Sequence, residues 1–271
     1  SFGSSGSSLT NSPTNISLLG AEAQDLVPLQ VIGAAGTRSF LLASPFTFAA
    51  GGFCLDADTM GYVWGSTVAG HPRLFAPGAR GSWVVGEPRE GETDAYYLAG
   101  RSGFLEVWRV TVTAAATGIT TGPQIGGTLG VTATRLADIP AAALGHGAGT
   151  IELRQAIFDR EDGALLLGTS LAGVERLSKV TTSGAALWTV AGPFCQSRVS
   201  HLSRLDAGLH AVLGLNLLAV HDTRSGALIA SQSVPGSDPS VGAWQIFDGS
   251  TRTLYAQTQG AGARRFLAMR Q

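Results

Sequence analysis

Asp162-Gly-Ala-Leu-Leu-Leu-Gly168-Thr, Val174-Glu-Arg-Leu-Ser-Lys-Val180 and Thr181-Thr-Ser-Gly184-Ala-Ala-Leu-Trp188-Thr-Val190 follow one another along one stretch of the chain. The next segment repeats the plan, with Asp206-Ala-Gly208-Leu-His-Ala-Val-Leu-Gly214, Leu217-Leu-Ala-Val-His-Asp222 and Thr223-Arg-Ser-Gly226-Ala-Leu-Ile-Ala-Ser231. Thr-x-Ser-Gly-Ala begins at 181 and again at 223, so the period is 42 residues. Each copy holds short apolar runs parted by Asp-Gly or Ser-Gly, the pattern of strands joined by tight turns. A period of about 40–45 residues built this way suits one four-stranded blade of a β-propeller. The expectation is an all-β chain: a single propeller of five or six four-stranded blades over residues 21–271, behind a flexible arm of residues 1–20.

Composition agrees with many tight turns. Glycine occupies 37 of 271 positions, about twice the usual share of roughly 7 %. Charged residues are only 14 %, against about 25 % in an average domain. So few charges mean either a surface shared with neighbours in an assembly or simply a neutral one. The net charge of −1 gives no field that would draw nucleic acid or an anionic membrane. No run reaches the roughly 18 apolar residues of a membrane-crossing helix. Cys54 and Cys195 have no Cys-x-x-Cys spacing and are expected as buried free thiols rather than a pair.

Residues 1–17 carry no charge and offer only Phe2, Leu9 and Ile16 for burial. Such a segment cannot offset its own ordering entropy, so an arm that orders against a neighbouring subunit is expected. Strand-like runs follow at 26–32 and 39–43, with Pro28 placing the first at a sheet edge. The spare first strand predicts ring closure, with residues 26–32 paired to the last strand at 265–269. A unit over 46–86 is read with strands at 46–49, 52–55, 62–64, 73–75 and 82–85. Another holds 95–99 and 104–112, the latter apolar on both faces as for a strand between stacked layers. Residues 113–150 read as a degenerate sixth blade or a loop insertion, with one helical turn at 139–144. The chain ends on three strands, at 243–247, 253–257 and 265–269.

Arg176-Leu-Ser-Lys-Val-Thr-Thr-Ser-Gly-Ala-Ala-Leu-Trp188 resembles the repeat of quinoprotein-like propellers, where a polar Gly turn leads into a strand opened by Trp. Leu218-Ala-Val-His-Asp-Thr-Arg-Ser-Gly-Ala-Leu-Ile229 is similar but lacks the Trp. The resemblance covers residues 152–271 and implies the fold, not the cofactor; no cofactor is expected. The uncharged arm before a Gly- and Ala-rich β domain is similar to phage virion proteins, which implies protein subunits of a larger particle as partners, or a glycan, and a place in a virion.

Catalysis on such a scaffold needs carboxylates from several blades, as in a glycosidase pair. Asp56, Asp94, Asp162, Asp206 and Asp248 are the candidates. Asp56, Asp162, Asp206 and Asp248 recur beside turns, where an Asp oxygen stabilises the bend. His201, His210 and His221 match no compact metal spacing. Trp64, Trp83, Trp108, Trp188 and Trp244 fall about one per blade, as packing residues would; a sugar platform would need two exposed on one face. No catalytic, cofactor or metal residue is assigned. The reading is a non-enzymatic binding or structural module, with a glycosidase-type hydrolase as the alternative.

Overall fold

The computed structural model describes residues 23–45, 53–58, 62–65, 81–116, 130–191, 201–205, 208–213, 217–233, 244–248, 250–260 and 263–270. The arm, the runs at 46–49 and 73–75, Cys195 and Asp206 lie outside them. The chain is all-β: among the described residues nineteen strands form five antiparallel sheets, each built from consecutive strands. Among the described residues no helix is long and apolar enough to cross a membrane. Two compact units divide the chain, one holding the residues up to Gly100 with Glu106–Ala137, the other Arg101–Leu105 with Asp138–Gln271.

The first sheet runs β1 (Ala23–Gly33), β2 (Gly36–Pro45), β3 (Phe53–Asp56) and β4 (Tyr62–Gly65). β1 is an edge strand, as Pro28 requires. Its partner corrects the closure expectation. Residues 26–32 pair with 37–43 across the two-residue turn between Gly33 and Gly36. Gly36 supplies a φ of 122° there, and closing so short a loop costs little chain entropy. Alternation then places Leu29 and Val31 in the core while Gln30 and Ile32 face out.

The second sheet holds β5 (Gly81–Pro88), β6 (Glu92–Gly100), β7 (Phe104–Thr113) and β8 (Val131–Pro140). The boundary expected after residue 86 therefore moves: 82–85 opens this sheet, while 53–56 and 62–65 complete the first. Residues 131–140 are neither a sixth blade nor an insertion; they are its fourth strand. The turn expected at 139–144 is present as a 3-10 turn over Ala141–Leu144. β7 is buried on both faces, with Leu105, Val107, Val110 and Val112 fully covered and Glu106 ion-paired to Arg135 at 3.1 Å. Sheets one and two share a core of Leu29, Val31, Phe40, Leu42, Trp83, Tyr97 and Val110, among others. Trp83 anchors the seam by donating Nε1–H to the Ala43 carbonyl at 3.0 Å.

The two repeat copies become the third and fourth sheets: β9 (Glu152–Asp159), β10 (Ala164–Leu171), β11 (Val174–Thr181) and β12 (Ala186–Ala191), then β13 (His201–Arg204), β14 (Leu209–Leu213), β15 (Leu217–Asp222) and β16 (Leu228–Ser233). The fifth sheet has the three strands expected, β17 (Trp244–Asp248), β18 (Thr253–Gly260) and β19 (Ala263–Arg270). β19 pairs with β18, Leu267 opposite Ala256, so the last strand too is paired within its own neighbourhood. Tryptophans are not one per sheet: two lie in the second sheet and none in the fourth.

Candidate functional site

The polar and apolar features of the second unit meet at the seam between the third and fourth sheets. Lys179, the only lysine of the chain, sits in β11 with 2 % of its side chain exposed. Its Nζ donates to Asp159 Oδ2 at 2.8 Å and to the Thr223 carbonyl of the next sheet at 3.2 Å. It also lies 2.5 Å from Asp162 Oδ2, whose side chain is half open to solvent. Burial works against the charged amine, but bonding to Asp159 and Asp162 outweighs it, so the pKa rises above the ordinary lysine value. A lysine held charged by two carboxylates is not a free amine nucleophile at neutral pH. This is a structural clamp.

Trp188 of β12 reinforces the clamp by donating Nε1–H to the same Thr223 carbonyl at 3.1 Å. Its ring lies flat under Gly226, where an added Cβ would come within 2.6 Å of Cε3. Gly226 also adopts a φ of 73°, so two independent constraints require glycine there. Asp222 shapes this turn, accepting from the backbone N–H of Ser225 at 2.7 Å and Arg224 at 3.1 Å and from the Ser225 hydroxyl at 2.7 Å. Those Ser225 bonds hold its carboxyl below the usual range. His221, buried one strand position earlier, meets the Gly226 carbonyl through Nδ1 at 3.0 Å. Burial lowers its pKa, partly opposed by that hydrogen bond.

Beside the clamp opens an apolar cleft of about 270 Å³ between β12 and the fourth sheet, lined by Val190, Ala191, Leu217, Ala219, Leu228 and the edge of His221. The outer strands β12 and β16 expose aliphatic side chains, Leu187 at 52 %, Leu228 at 56 % and Ile229 at 58 %, of which Leu228 lines the cleft.

The candidate carboxylates are engaged locally. Asp56 is buried, bonded to Arg38 at 2.7 Å, and accepts the Asp58 N–H at 3.1 Å, so it does shape its turn. Asp94 is held by Arg89 and the Thr111 hydroxyl. Asp248 caps its turn through the Ser250 N–H at 2.9 Å and the Ser250 and Thr251 hydroxyls. Asp162 does not make its turn as expected. Asp159 does, accepting the Glu161 N–H at 3.2 Å while it holds Lys179. The reading of the sequence missed Asp159 and the partners of Lys179; the one available signal was a lone lysine in an otherwise apolar strand. Cys54 is a buried free thiol, with its pKa raised by burial. Trp83 is buried and Trp188 is packed against a turn, so neither offers a sugar platform. Among the described residues no group of three His, Cys, Asp or Glu side chains is placed to hold a metal.

No protein-family profile and no curated protein matches the chain. Among solved structures it is similar to the WD40 domain of SCAP from fission yeast, at 10 % identity and a TM-score of 0.48, over 89 % of this chain and 54 % of that one. It is also similar to BamB from Moraxella catarrhalis, at 13 % identity and a TM-score of 0.44, over 87 % of this chain and 61 % of that one. A third likeness is to the Dos1 propeller, at 11 % identity and a TM-score of 0.41, over 84 % and 64 % of the two chains. This chain thus spans less than two thirds of the length of each.

Proposed function

We propose that the five sheets are the blades of one propeller over residues 21–271, behind an arm of residues 1–20, and that the molecule is a non-enzymatic binding module of a larger assembly. The 42-residue repeat and its likeness to quinoprotein-like propellers support the blade reading. One observation carries the functional reading. Leu228 stands exposed at an apolar cleft, and Leu187 and Ile229 are exposed on the outer strands β12 and β16, which suits a protein partner better than a charged or sugar ligand. The four described candidate carboxylates point the same way, because each is already bonded to an arginine, a lysine or its own turn. The arm is the proposed link to neighbouring subunits, and its uncharged Ser-, Thr- and Asn-rich composition suits a phage particle.

Hydrogen exchange on the full chain, dilute and concentrated, tests this. Protection of residues 3–15 should appear only on self-association or on addition of the partner; strong protection in the dilute monomer would assign the arm to its own domain and remove the reading. Turnover of a glycoside that is lost on changing Asp56, Asp94, Asp162, Asp206 or Asp248 to Asn would instead establish the hydrolase.

A further inference from the structure

The outer strands of the sheets differ in how their open edges are protected. β8 carries Arg135 and Asp138 and ends on Pro140. β19 carries Arg264, Arg265 and Arg270. β12 has no charge but is covered by the 3-10 turn, with the Thr189 hydroxyl reaching the Ala143 carbonyl. β16, Leu228-Ile-Ala-Ser-Gln-Ser233, has neither a charge nor a proline and, among the described residues, no cover. Its one irregularity is a register shift that leaves Ile229 without an opposite residue on β15, while Ala230–Ser233 pair regularly. All six of its residues are exposed, and among the described residues it pairs only with β15. Charge, proline, bulges and covering elements are the usual defences of an edge strand against pairing with another chain. With only the irregularity at Ile229 and regular pairing over Ala230–Ser233, next to an apolar cleft that Leu228 helps to line, β16 is the strand we read as able to accept another.

We propose that β16 takes residues 14–20 of a second copy of this chain as an added strand. This rests on the arm-mediated assembly proposed above and names its acceptor. The segment reads Thr14-Asn-Ile16-Ser-Leu18-Leu-Gly20, seven residues without charge or proline, matched in length to the six of β16. Ile16 and Leu18 fall on one face of an extended strand. A strand laid outside β16 carries alternate side chains over the face that holds Leu228, so Ile16 and Leu18 reach the mouth of the cleft. Neither side bears a charge, so no ion pair loses its solvation and no like charges meet. Strand addition of this size stays below the roughly 1,200 Å² of a standard stable interface. A single contact is therefore weak and reversible, and an assembly gains strength by repeating it.

Sedimentation equilibrium on the full chain, with a synthetic peptide of residues 14–20 as competitor, tests the assignment. Leu228→Lys and Ile229→Lys change exposed side chains and leave the melting temperature within a few degrees, as an exposed site predicts. Each should weaken self-association at least about tenfold, since edge lysines block strand pairing. Ile16→Asp with Leu18→Asp should do the same, and the peptide should compete with the wild-type chain while failing to bind either lysine variant. Association lost in the arm variant but untouched by both lysine variants would overturn β16 as acceptor and leave the arm reading standing. Association lost in the lysine variants but untouched by the arm variant would show that another strand, such as a second β16, occupies the edge. A chain monomeric at every concentration would overturn both.

Discussion

Thr181-Thr-Ser-Gly-Ala185 and Thr223-Arg-Ser-Gly-Ala227 carry one pattern in the same hairpin of neighbouring sheets, yet their surroundings have little in common. The first is an exposed turn held by its own Thr181 hydroxyl, which accepts the Ala185 N–H at 3.0 Å. The second is a seam: Thr223 and Gly226 are buried, and the Thr223 carbonyl receives both Lys179 and Trp188 from the sheet before it. The turn motif therefore specifies a local backbone shape, and the neighbour specifies the load on it. Counting 42 residues on, Lys179 corresponds to His221 and Trp188 to Ala230. His221 folds back onto its own turn instead of reaching outward. Ala230 stands on β16, the strand left bare.

Breaking the clamp should produce the largest effect. Lys179→Met leaves Asp159, 1 % exposed, without its cation, and loss of one partner from a buried pair costs about 3–5 kcal/mol. The urea midpoint measures it; a loss under about 1 kcal/mol would show that the seam does not depend on the pair.

The two glycines sharpen the contrast. Gly184 has a φ of 92° and Gly226 one of 73°, so alanine at either meets a left-handed backbone cost of about 1–2 kcal/mol. Only Gly226→Ala also drives a methyl into the Trp188 ring, so it should exceed Gly184→Ala by a further 1 kcal/mol or so, as overpacking does. Equal losses in thermal melts would refute the seam geometry.

The corresponding pair Lys179 and His221 should also act at opposite ends of the pH range. Lys179 has a raised folded pKa, so its contribution is complete below about pH 10.4 and is lost as pH rises beyond it. His221 has a lowered one, with burial the main cause. The folded state then resists protonation, and stability falls as pH drops below about 6.5. His146, whose pKa is lowered by burial and by Arg176, adds to the acid side. Denaturation between pH 7 and pH 5 should show this slope, and His221→Asn should flatten it in part; an unchanged slope would assign it to other groups. The smallest effect belongs to the exposed turn: Thr181→Ala, which removes the solvent-exposed hydrogen bond from the Ala185 N–H, should cost about 0.5–1 kcal/mol.

Much of the second half was legible in the sequence. The period, the hairpin turns, the 3-10 turn and the closing three strands all depend on local pattern, and local pattern is written within a few residues. What stayed hidden depends on distance. Lys179 meets Asp159 across 20 residues and Thr223 across 44, and nothing at Asp159 itself distinguishes it from Asp162, which has the Gly beside it. In the first half the strands were visible but their grouping was not. Phe53–Asp56 could close one sheet or open the next, and only its pairing with β2 decides. The two-residue turn at Ala34-Ala35 is likewise local and explains the pairing of β1 with β2, but whether the other edge of β1 meets the last strand depends on residues more than 230 apart, which local pattern does not encode.

The burial of Lys179 has a consequence for handling the molecule. Because the chain has one lysine, acylating reagents, amine cross-linkers and lysine-specific proteases find no accessible ε-amine on the native surface. Reaction located at Lys179 therefore reports opening at the seam. Acylation of the Lys179 amine in native buffer counts how often the third sheet parts from the fourth, and the same reaction in a partner's presence reads whether that partner holds the seam shut. Cleavage after Lys179 reads the larger event in which β11 leaves both its neighbours.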